Sequence, residues 1–91
     1  MSVDQPTIAA VSSQSTLDAV PAGSGGCVLA VTGSVVTRRR LLEMGLCTGT
    51  EVAVVRRAPF GDPIELHLRG YHLSLRAEEA RCVAVARRPN P

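Results

Sequence analysis

Hydrophobic and polar positions alternate most cleanly over Ile64–Arg69. Ile64, Leu66 and Leu68 face one way, and Glu65, His67 and Arg69 the other. A period of two predicts a half-buried strand. Gly70-Tyr71 can turn the chain, and His72–Leu75 then returns with Leu73 and Leu75 inward. Thr50–Arg57 reads as a strand with Val52 and Val54 on one face, Cys27–Thr32 as an apolar buried strand, and Cys82–Ala86 as a last strand. The period changes over Val35–Met44, which reads as the one substantial helix. Ser34 caps its start, Gly45 suits a left-handed end, and Leu41, Leu42 and Leu46 form an apolar stripe. Arg76–Arg81 reads as a short helical turn, with Glu78 and Glu79 suited to its start. Turn formers crowd Pro21–Gly26 and Ala58–Pro63, so both read as loops. Residues 1–16 carry no period and read as a flexible N-terminal tail, and 89–91 as a C-terminal tail. The domain spans 17–88.

Five short strands, one inserted helix and a helical turn in so small a unit must hide their edges and share one core. The expected class is mainly β: a small SH3-like β-barrel of about five strands. A flat two-layer α+β sheet is the rival. Composition narrows the chemistry. The chain has 91 residues, enough for one domain. Hydrophobic residues are 45%, yet Phe and Tyr occur once each and Trp not at all, so the core must be Val, Leu and Ala. All ten Lys+Arg positions are arginine. Without lysine there is neither a Walker-type phosphate loop nor Schiff-base chemistry. With two aromatics there is no base-stacking platform, and a net charge of +2 is mild for a nucleic-acid domain. No apolar run approaches the ~20 residues that span a bilayer, so the chain is not expected to be membrane-inserted. The first basic residue is Arg38, which leaves no signal-peptide start. Three cysteines without a CxxC pair fit a reducing cytosol, so a cytoplasmic location is expected.

Candidate chemistry is sparse. Arg38-Arg39-Arg40 lies in the first half of the helix, where positive charge opposes the macrodipole. Consecutive residues fan around the axis, so the three make no single patch. The run is either a solvated face or a contact for an acidic partner. If Gly70-Tyr71 is the turn, His67 and His72 lie diagonally on the outer face. Two imidazoles there are fewer than the three or four ligands of a functional metal site. A second chain, Cys47 or a carboxylate would have to complete the set. Cys27 and Cys82 read as small core residues. No nucleophile elbow or paired-carboxylate site assembles, so no enzyme is expected.

An ordered series then stands out: Arg40-Leu41-Leu42-Glu43-Met44-Gly45-Leu46, Gly49-Thr50-Glu51-Val52, Ala58-Pro59-Phe60-Gly61-Asp62-Pro63-Ile64, Gly70, Leu73-Ser74-Leu75-Arg76 and Glu79-Ala80. It resembles the bacterial ferrous-iron transport protein A (FeoA) family. Thr48 stands where that family commonly has Pro, which would loosen the turn before Gly49. The resemblance implies an SH3-like barrel with an inserted helix. It implies a cytosolic accessory protein of ferrous-iron uptake that touches the cytosolic GTPase region of the membrane transporter. The expected partner surface is Arg38, Arg39 and Glu43 on the helix, with Pro59, Phe60, Gly61, Asp62 and Pro63 in the loop. No cofactor is required. A weakly bound iron or zinc ion at His67 and His72 is allowed, as is a homodimer, metal-bridged or edge-paired. No nucleic-acid partner is expected. The alternative is a transition-metal sensor domain similar to the C-terminal domain of diphtheria-toxin-repressor-type regulators.

Overall fold

The alternation of β4 (Ile64–Leu68) and β5 (Tyr71–Leu75) builds a tight antiparallel hairpin that sets the geometry of one face. Ile64, Leu66 and Leu68 are buried, and His67 is exposed. The turn is Arg69-Gly70 rather than Gly70-Tyr71, with φ of 50° and 84°. Two residues at positive φ match the right-handed twist of the flanking strands, which a turn beginning at Gly70 would not. Leu68 therefore pairs with Tyr71, and His67 stands directly opposite His72 instead of diagonal to it.

The computed structural model describes residues 14–87. Its six strands form one antiparallel sheet in the order β1-β6-β2-β3-β4-β5, with β1 Gln14–Thr16, β2 Gly25–Val31, β3 Glu51–Arg57 and β6 Val83–Arg87. Between them lie helices α1 (Val35–Glu43) and α2 (Ala77–Ala80), and a 3-10 turn at Leu17–Ala19. The mainly β reading holds, with a sixth strand added. Of the expected N-terminal tail, residues 1–13 lie outside the described residues. Gln14–Thr16 is not tail: it pairs with Ala84–Ala86 through backbone bonds, which a polar Gln-Ser-Thr segment does not announce. The expected C-terminal tail also lies outside the described residues. β1 and β5 remain the two edges of the sheet.

One core cluster draws on the 3-10 turn, β2 to β6 and both helices, so the sheet wraps a single interior. It contains Val, Leu, Ile and Ala with no aromatic, as composition required. Gly25 and Gly26 belong to β2, not to the preceding loop. A Cβ at Gly26 would lie 2.5 Å from the Ala86 carbonyl oxygen, and one at Gly25 2.5 Å from that of Val52. Their lack of side chains lets β2 lie closely between β3 and β6.

Candidate functional site

α1 is fixed at its ends. Ser34 Oγ accepts from the Thr37 N–H at 3.1 Å. At the other end Gly45, at φ 101°, donates to the Leu42 carbonyl, and Leu46 donates to that of Leu41. This is a Schellman closure, completed by the buried pair Leu41 and Leu46. The Tyr71 hydroxyl donates to the Met44 carbonyl, tying the helix end to β5. Arg40 pairs with Glu79 of α2.

Held this way, the helix turns its other side outward. Leu42 does not join the core stripe expected of it; it is 46% exposed, because it lies about 100° around the axis from Leu41. Val35, Arg38, Arg39, Leu42 and Glu43 line one shallow depression of about 360 Å³. The spacing i, i+3, i+4, i+7 puts the first four on one face. Val35 and Leu42 are absent from the partner surface expected from sequence, although that spacing would have found them. Arg38 and Arg39 thus share a face, whereas Arg40 leaves it for Glu79.

The Pro59–Pro63 loop is internally bonded: Gly61 N–H donates to the Ala58 carbonyl at 2.7 Å, and Ala58 N–H to that of Pro63 at 3.1 Å. Phe60 at its tip is 97% exposed. Asp62, though exposed, turns its carboxylate to the start of α2. Its Oδ1 accepts from the Ala77 N–H at 2.9 Å, and its Oδ2 lies 3.6 Å from Arg76. Glu79 Oε1 also accepts from the Arg76 N–H at 3.0 Å. α2 therefore joins the two patches: Glu79 holds α1 through Arg40, while Ala77 and Arg76 hold the loop through Asp62. In this arrangement Asp62 anchors the loop and Phe60 is what the loop displays.

The third feature is the hairpin. The rings of His67 and His72 have centroids 4.7 Å apart, tilted by 51°. Both residues are exposed. Among the described residues no three His, Cys, Asp or Glu converge on one point. All three cysteines are free and half-buried. Cys47 Sγ contacts the Leu42 carbonyl, so it is not brought to the histidines. The Thr48 hydroxyl donates to the Leu29 carbonyl at 3.2 Å, which ties its turn to β2. No helix among the described residues is long and apolar enough to cross a membrane.

Residues 15–87 match the family described as the FeoA domain. A curated relative, the Fe(2+) transport protein A/Fe(2+) transporter FeoB fusion protein of Porphyromonas gingivalis, is 38% identical over 63 residues. That is 69% of this chain and 8% of the fusion protein. The solution structure of a FeoA-like protein from Clostridium acetobutylicum is 40% identical, with a TM-score of 0.74 over 80% of this chain and 85% of that one. The crystal structure of Stenotrophomonas maltophilia FeoA complexed with zinc, described as an SH3 domain protein, is 28% identical, with a TM-score of 0.71 over 81% and 95%. A manganese-dependent transcriptional repressor also shares the fold, at 20% identity and a TM-score of 0.75 over 81% of this chain and 36% of the repressor.

Proposed function

Since the chain belongs to the FeoA family, whose members are linked to ferrous-iron transport, we propose that it acts as a cytosolic interaction module of ferrous-iron uptake. It docks on the cytosolic GTPase region of the membrane transporter through the outer face of α1 and the tip of the Pro59–Pro63 loop. The observation that carries this reading is the Porphyromonas gingivalis fusion, in which one polypeptide holds both an FeoA and an FeoB part. Covalent linkage raises the effective concentration of two modules to the millimolar range for short linkers, so it benefits pairs that must meet. The chemistry of the surface supports the reading. Val35 and Leu42 are exposed apolar groups beside Arg38 and Arg39, and Phe60 is exposed at the tip of the separate loop. Aromatic anchors, such as Phe60, and arginines are what interface centres favour. The module works by contact, and no catalytic step is assigned to it. The rival reading, a metal sensor like the repressor domains, has only the shared fold behind it.

Titrating the purified GTPase region of the cognate transporter with this chain, in the apo, GDP-bound and GTP-analogue states, tests the proposal. Binding in at least one state, weakened by Leu42→Ala, Arg38→Glu and Phe60→Ala, is expected. No binding in any nucleotide state would sink it.

A further inference from the structure

The chain contains two histidines, and the fold places both on one cross-strand pair. The hairpin register makes this placement firm. With Arg69-Gly70 as a two-residue turn, Leu68 and Tyr71 close it as the hydrogen-bonded pair, and His67 and His72 fall on the next, non-hydrogen-bonded pair. Side chains stand closest together at such pairs. Two imidazoles that share one tetrahedral zinc, with Zn–N of roughly 2.0–2.1 Å, hold their ring centres roughly 5 Å apart. The observed separation is 4.7 Å. The ring centres thus stand near the separation a shared zinc would set, on two paired strands.

From this juxtaposition we propose that His67 and His72 form a solvent-open, two-imidazole chelate for a divalent transition metal, one ion per chain, with water filling the remaining positions. Imidazole suits zinc, ferrous iron, nickel and copper rather than magnesium or calcium. The depression of about 290 Å³ beside His67 is lined by Glu51 and Arg69, one charge of each sign, so the hard-cation chemistry of a carboxylate cage is absent from the site. With two protein ligands the site is weaker than a structural zinc centre and exchanges its ion readily. It lies on the outer face of the β4–β5 hairpin. The neighbouring Tyr71 holds the end of α1 from the inner face. This site does not depend on the docking reading, and its failure would leave that reading untouched.

Isothermal titration of the untagged chain with zinc chloride, and anaerobically with ferrous iron, measures it directly, with sedimentation to follow the oligomeric state. The expected result is one zinc per monomeric chain. His67→Ala and His72→Ala should each weaken binding by about tenfold or more, since each removes one of two arms of the chelate. Both positions are exposed, so the variants should keep the wild-type circular dichroism and melting temperature without metal. Zinc should also shift the imidazole resonances of both residues in the wild type. Unchanged zinc affinity in either variant overturns the proposal. So does one zinc per two chains in a metal-induced dimer, because the chelate would then be built between copies.

Discussion

β4 and α1 place their apolar residues in opposite ways. β4 buries all three of its apolar side chains, Ile64, Leu66 and Leu68. α1 buries Leu41 and leaves Val35, Val36 and Leu42 outside, at 60%, 75% and 46% exposure. The strand is held by its flat inner face. The helix is held by its ends: the Ser34 cap, the Gly45–Leu46 closure, the Tyr71 hydroxyl and the Arg40–Glu79 pair. An element fixed at its ends does not need its outer face for the fold. That is why a helix with exposed valines and arginines can persist, and why its outer face can serve another molecule.

Truncating one buried leucine on each element is the strongest way to break the comparison. Leu66→Ala and Leu41→Ala should each cost about 2–5 kcal/mol, measured by urea unfolding, because both side chains are fully enclosed. Their local signatures should differ. In Leu41→Ala the α1 amides should exchange with solvent before those of β4, since the helix loses its single buried contact within Val35–Glu43. In Leu66→Ala the whole sheet should loosen together. If α1 and β4 amides lose protection in step in Leu41→Ala, the helix is integral to the core and the contrast fails.

A smaller effect probes the helix end. At Gly45 the backbone has φ 101°, and a Cβ there would lie 2.6 Å from the Tyr71 hydroxyl oxygen. Gly45→Ala should destabilise by about 1–2 kcal/mol from the left-handed backbone alone. It should also displace Tyr71 from the Met44 carbonyl. Tyr71→Phe should cost less, about 0.5–1.5 kcal/mol for the hydrogen bond. The Gly45→Ala, Tyr71→Phe double variant should then be less destabilised than the sum, because both changes act on one contact. Strict additivity in thermal melts would show that the two residues do not meet.

Elements with a side-chain period are legible in the amino-acid pattern itself. β3, β4, β6 and α1 sit where Val52/Val54, Ile64/Leu66/Leu68, Val83/Val85 and the Ser34…Gly45 caps put them. Elements made by backbone alone are not. β1 is Gln-Ser-Thr, and Gly25-Gly26 carries loop residues into a strand because β3 and β6 leave no room for a Cβ. Arg57 is another such case: it donates to the carbonyls of Asp18 and Val20, a contact between residues far apart in sequence that no local pattern encodes. For the candidate sites, residue identity is legible but its partition is not. Arg40 reads like Arg38 and Arg39 until Glu79 takes it, and Asp62 reads like its loop neighbours until α2 takes it. The histidine pair turns on a one-residue difference in the turn, decided by which two residues accept positive φ.

The smallest stability effects sharpen the contrast most, because they separate folding from recognition. Arg40 and Glu79 form a pair in which Arg40 is 58% exposed, so Arg40→Ala should cost about 0–1 kcal/mol, and less at high salt. Leu42→Ala, on the exposed face, should change stability by no more than about 0.5 kcal/mol. The same Leu42→Ala change should visibly weaken binding to the transporter's GTPase region, and Arg40→Ala should not, since Arg40 already serves α2. Measuring both variants side by side, by urea unfolding and by titration, puts one surface residue in each role. Should Leu42→Ala destabilise the chain as much as Leu41→Ala, the outer face of α1 would belong to the fold after all. Its exposed valines would then need a different explanation.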